Sequence, residues 1–74
     1  MKGGVVMTIL QQKIRSSKYS MTEIAYALGV SEMTLYRKAS GKSKIRRGEM
    51  NMLSQMLGLT KNEQNEIQKE LKNA

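Results

Sequence analysis

Six positively charged side chains, Arg37, Lys38, Lys42, Lys44, Arg46 and Arg47, fall within eleven residues, and no carboxylate lies among them. A cluster of that density attracts polyanions, of which nucleic acid is the commonest. The same charges would also suit a solvated face, so their meaning depends on which elements carry them. Their placement along the chain is uneven. Residues 1–47 hold ten Lys and Arg against Glu23 and Glu32, whereas residues 48–74 hold Lys61, Lys69 and Lys72 against Glu49, Glu63, Glu66 and Glu70. The formal charge of +7 on 74 residues therefore comes entirely from the first 47.

Other chemistries lack their residues. The chain has no Cys, no His and no Asp. That excludes disulfides, zinc fingers, thiol nucleophiles and a Ser-His-Asp triad, and leaves carboxylate chemistry to the Glu residues alone. No enzymatic function, cofactor or metal is expected. Gly41-Lys42-Ser43 looks like the end of a phosphate-binding loop, but that motif needs a Gly where Tyr36 stands, and no strand precedes it. No apolar run approaches the roughly 18 residues of a membrane span. The apolar part of Met1–Met7 is too short for a signal peptide, and Met7 serves as well as Met1 for a native start. A soluble, cytoplasmic chain with no membrane partner and no small-molecule ligand is expected.

The elements that must position the cations read as all-α, a compact bundle of about five short helices forming one domain over residues 1–74. A domain of this size buries only about 60% of its unfolded surface, which favours helices packed on a small core. Val5, Val6, Ile9, Leu10 and Ile14 recur at three- and four-residue spacing and predict a first helix over roughly 6–16. Ser20-Met21-Thr22-Glu23 is a capping box opening a second helix whose apolar face is Ile24, Ala25 and Leu28. Gly29 stops it, and Ser31 is a good N-cap for a third helix over about 32–40, which Gly41 closes. Lys42 to Arg47 reads as a basic connection. Met50, Leu53, Met56 and Leu57 mark a fourth helix stopped at Gly58. Thr60-Lys61-Asn62-Glu63 opens a fifth over about 61–72, where Ile67 and Leu71 serve either packing or dimerisation.

Residues 21–40 hold the most specific pattern. Two short helices joined at Gly29-Val30-Ser31 need a small residue where they cross, and Ala25 supplies it. Ile24, Leu28, Val30 and Leu35 can meet in the angle between them. An ordinary αα-corner would not need the small residue, the Gly and the N-cap together. The combination matches a helix-turn-helix, in which the first helix holds the second and displays it outward. Ile24-Ala25-Tyr26-Ala27-Leu28-Gly29-Val30-Ser31, with Thr34-Leu35-Tyr36-Arg37 and Gly41-Lys42, resembles the phage repressor/Cro-type (XRE) helix-turn-helix family. The resemblance covers roughly residues 8–60, since Leu57-Gly58-Leu59-Thr60 also looks like the end of that family's fourth helix. It implies a λ-repressor-like domain that binds double-stranded operator DNA, usually as a homodimer, and acts as a transcriptional repressor of phage, prophage or mobile-element type.

Carried onto this chain, the resemblance makes Glu32, Met33, Tyr36 and Arg37 the base-reading residues, with Ser31 at the margin. Arg37 suits guanine O6 and N7 or, alternatively, a phosphate; Glu32 suits a cytosine amino group or simply complements the helix dipole. Met33 and Tyr36 offer apolar contact to a thymine methyl. Lys42, Ser43, Lys44, Arg46 and Arg47 follow as phosphate contacts, joined by the backbone amides of Met21 and Thr22 at the second helix's N-terminus. Two positions depart from the family pattern. Met21 stands where Gln is frequent and cannot donate a side-chain hydrogen bond. Lys38 stands where an apolar residue is usual, so either its stem packs while the ammonium snorkels outward, or the helix bends or ends there. Two other functions fit the charge and the helices: an architectural or recombination accessory protein with little sequence choice, and a protein-interaction module such as an antirepressor or adaptor.

Overall fold

Capping side chains set where the helices begin. A computed structural model describes residues 7–72, which form five helices: α1 (Ile9–Ser16), α2 (Met21–Leu28), α3 (Glu32–Ser40), α4 (Arg47–Leu57) and α5 (Lys61–Lys72). No strand occurs among the described residues. Ser20 and Glu23 cap α2 reciprocally, at 3.1 and 2.8 Å, and Thr60 and Glu63 do the same for α5, at 3.1 and 2.9 Å. Ser31 caps α3 by accepting from the Thr34 amide at 3.1 Å. These three starts are the ones the sequence predicts.

Two boundaries differ. α1 starts at Ile9 rather than near residue 6, because Thr8-x-x-Gln11 is a further capping box. The Thr8 hydroxyl accepts from the Gln11 amide at 3.1 Å, and Gln11 Oε1 accepts from the Thr8 amide at 2.9 Å. That holds Thr8 in an extended conformation, ψ 164°, which cannot continue a helix backward. Val5 and Val6, which the apolar spacing included, lie outside the described residues. Arg47 belongs to the first turn of α4 rather than to the connection, because Glu49 reaches back to the Arg46 amide at 2.9 Å and starts the helix there.

The ends of α2 and α3 are turned by glycine. Gly29 and Gly41 adopt φ of 73° and 91°, the left-handed region that a side chain disfavours. Each lets the following amide fold back: Val30 N–H onto the Ala25 carbonyl at 3.0 Å, and Lys42 N–H onto the Arg37 carbonyl at 2.9 Å.

Every helix contributes to an aliphatic core of Leu10, Ile14, Ile24, Ala25, Leu35, Ala39, Met50, Leu53, Leu59 and Ile67. α2 packs on α3 and α4, while α1 packs on α3 and α5. Ala25 is buried, as the close approach of its helix to α3 requires. The Cα radius of gyration, 11.7 Å, is near the roughly 11 Å of a folded domain this long. No helix is long and apolar enough to cross a membrane among the described residues.

α5 is anchored by more than its apolar pair. Ile67 is fully buried in the core, so it is not available as a dimer contact, and Leu71 packs half-buried beside it. Glu70 Oε1 accepts from the Ile9 amide at 2.6 Å, a carboxylate at the N-terminus of α1 where the helix dipole favours it. Lys13 of α1 pairs with Glu63. Thr8 adds a link from α1 to α3, its hydroxyl donating to the Ala39 carbonyl at 2.6 Å.

Thr8 thus both caps α1 and ties it to α3. Thr8→Val keeps the shape and removes both hydrogen bonds, with an expected cost of about 1–3 kcal/mol. Urea unfolding measures it as a lower midpoint with an unchanged slope; an unchanged midpoint contradicts the assignment.

Candidate nucleic-acid interface

α3 presents two faces of opposite character. Leu35 and Ala39 are buried, whereas Glu32, Met33, Tyr36 and Arg37 are exposed, Met33 by 62% and Tyr36 by 52%. Large apolar side chains that exposed are costly to hydrate, and two on one short helix face mark a surface suited to contact. Ser31 is spent as the α3 cap, with its hydroxyl also 3.0 Å from the Thr34 hydroxyl. Glu32 accepts from the Thr22 hydroxyl at 2.7 Å. The exposed residues of α3 with no internal side-chain partner are therefore Met33, Tyr36 and Arg37.

The N-terminus of α2 lies beside this face. Thr22 reaches Glu32, and Met21 and Tyr36 line the same open cleft, of about 660 Å³, together with Arg15 and Tyr19. Met21 is half-buried against the core. The structure thus brings Met21 and Thr22 next to the α3 face, but it surrounds them with acid. Glu23 caps the Ser20 amide, and Glu32 occupies the Thr22 hydroxyl. Two carboxylates there oppose an anion, so the larger attraction lies at the other end of α3.

That end leads into the basic connection. The Lys42 and Ser43 amides both donate to the Arg37 carbonyl, at 2.9 and 3.3 Å, which keeps the chain against the last turn of α3. Lys42, Lys44, Arg46 and Arg47 are exposed, and Ser43 is half-buried. Among the described residues, neither these four cations nor Arg37 enters an ion pair. Five unpaired cations therefore run from the exposed α3 face through the connection to the first turn of α4.

Lys38 takes neither course that the sequence suggested. α3 continues past it to Ser40, and its ammonium turns inward rather than snorkelling out. Nζ lies 3.0 Å from Glu49 Oε1 and donates to the Lys44 carbonyl at 2.9 Å, with only 11% of the side chain exposed. The partner was not legible from helix periodicity, because Glu49 belongs to the next helix. Its position three residues after Arg46, where a carboxylate caps a helix start, is the signal that would have placed it. Burial by itself pushes the Glu49 carboxyl up, but hydrogen bonds from the Arg46 amide and the Lys38 ammonium outweigh it and hold the group below its ordinary value. Glu63 is likewise lowered by its hydrogen bonds from Lys13 and from the Thr60 amide. Tyr26 is a further residue that the sequence did not single out. It is 88% exposed on α2, one turn beyond Thr22.

A carboxyl whose folded value lies below the unfolded one contributes stability that is present above the unfolded value. That contribution is lost as pH falls through the folded value. The loss for Glu49 and Glu63 is expected below about pH 4.3, the value of an unfolded Glu. Urea midpoints measured from about pH 6 down to about pH 3 are expected to fall less steeply for Glu49→Gln than for the parent chain, with Glu63 supplying the remaining slope. Identical pH profiles would contradict the assigned role of the Lys38–Glu49 pair. Comparison of the chain with protein-family models, with curated proteins and with solved structures gives no match.

Proposed function

We propose that this chain is a sequence-specific DNA-binding transcriptional regulator of repressor type, in which α2 and α3 act as a helix-turn-helix and α3 enters the major groove. The observation that carries the reading is the continuity of two surfaces. The exposed Met33, Tyr36 and Arg37 of α3 pass directly into four unpaired cations, while the opposite side of α3 is buried under its neighbours. A helix held from behind, with reading side chains in front and phosphate-binding charge at its end, has the parts that major-groove recognition requires.

The hydrogen bonds divide the labour among the residues. Arg37, free of internal partners, carries a donor fork that matches guanine O6 and N7. Met33 and Tyr36 supply apolar contact to thymine methyl groups. Glu32 is engaged by Thr22, which favours its role at the α3 N-terminus over acceptance from cytosine. Lys42, Lys44, Arg46 and Arg47 hold phosphates and set register, with Ser43 beside them. The amides of Met21 and Thr22 make a weaker phosphate contact because Glu23 and Glu32 stand close. Each chain has one α3, so reading two successive major grooves takes a homodimer on DNA with half-sites about 34–36 Å apart. Since Ile67 is in the core, the pairing surface would draw on exposed apolar groups such as Met52.

The test is selection of bound duplexes from a random pool at a stated salt concentration, followed by base-pair substitution in the selected site. Arg37→Ala is expected to cost about 1–3 kcal/mol and to relax preference at one base pair. Equal weakening on every sequence would move Arg37 to the phosphate class. Failure to enrich any sequence would contradict the proposal.

A further inference from the structure

The segment from Lys42 to Arg46 alternates along its length. Lys42, Lys44 and Arg46 are exposed, while Ser43 and Ile45 are half-buried. In an extended chain alternate residues face one side, and the exposed ones stand about 7 Å apart. That spacing is on the scale of successive phosphates along one nucleic-acid strand. Three cations in such a row can follow a single strand, provided that the backbone carrying them is held.

Two charged side chains hold it. Lys38 Nζ donates to the Lys44 carbonyl at 2.9 Å and lies 3.0 Å from Glu49 Oε1. The same Glu49 oxygen accepts from the Arg46 amide at 2.9 Å. Upstream, the Lys42 and Ser43 amides close on the Arg37 carbonyl. The backbone is thus tied at residues 42, 43, 44 and 46, and two of those ties converge on one ion pair. The pairing also has an electrostatic effect. With Lys38 against it, the Glu49 carboxylate is neutralised inside the fold and does not draw in Lys44, Arg46 or Arg47. We infer that Lys38 and Glu49 are positioning residues: the pair holds the 42–46 segment so that Lys42, Lys44 and Arg46 form a preset row for the phosphates of one DNA strand. This inference rests on the proposed DNA binding and assigns Lys38, although cationic, no contact with DNA.

The double substitution Lys38→Met/Glu49→Gln leaves the net charge unchanged and keeps an acceptor for the Arg46 amide, so a change in binding reports position rather than charge. The probe is random-sequence duplex DNA, because phosphate contact does not depend on sequence. For the double variant, binding is expected to weaken about tenfold. The slope of log K against log salt should become shallower by about 0.9 for each phosphate lost, one or two in all. An affinity and slope equal to those of the parent chain would overturn the inference, as would a lower urea midpoint with an unchanged slope, which assigns the pair to folding alone. Absence of duplex binding by the parent chain would overturn both the inference and the DNA-binding reading. If the double variant does not fold, amide hydrogen exchange in the parent chain decides. The inference requires the Lys42, Ser43 and Arg46 amides to be protected before DNA is added, whereas protection only on the duplex would overturn it.

Discussion

The contact between the Lys38 ammonium and the Glu49 carboxylate joins three parts of the chain that are otherwise covalently adjacent but free to diverge: the last turns of α3, the connection after it, and the first turn of α4. Removing two charges from water is expensive, and a pair of this kind is retained only where geometry and further hydrogen bonds offset the loss. Both conditions are met. Besides each other, the ammonium has the Lys44 carbonyl and the carboxylate has the Arg46 amide. An apolar side chain at residue 38 would fill the same space but would leave the Lys44 carbonyl without this donor and Glu49 without its counter-charge.

The distribution of acid follows a related logic. Glu63 and Glu70 of α5 are directed at α1, one onto Lys13 and one onto the Ile9 amide. Glu49 is taken by Lys38, and Glu23 and Glu32 serve the start of α2 and the α2–α3 contact. Five of the six Glu residues thus have named partners within the fold, whereas Arg37, Lys42, Lys44, Arg46 and Arg47 have none. The surplus of positive charge is not spread over the surface. Internal pairing of the carboxylates concentrates it on the side that carries the exposed face of α3.

Much of this architecture could be read from local signals. Ser20, Ser31 and Thr60 mark helix starts because their hydroxyls satisfy amides a few residues away, and Gly29, Gly41 and Gly58 mark ends. Such signals are short-range, so sequence spacing carries them. The start of α1 was misplaced because apolar spacing was followed through Thr8, a residue whose capping role competes with helix continuation. The partners of Lys38, Glu32 and Glu70 were hidden for a different reason. Each lies on another helix, at a separation that depends on how the helices pack, and periodicity along one helix contains no such distance. The exposed face of α3 was legible because it follows from the helix period alone. Which of its members are already engaged, Glu32 by Thr22 and Ser31 by Thr34, was not.

Binding of the parent chain to its best selected duplex, in competition with scrambled duplex of the same length and composition at fixed salt, tests the account most directly. A preference of about 10³ or more for the selected sequence is the predicted result. Near-equal affinity for both would contradict sequence-specific regulation and fit an architectural protein. No binding to either at moderate salt would remove DNA as the partner and fit a protein-interaction module.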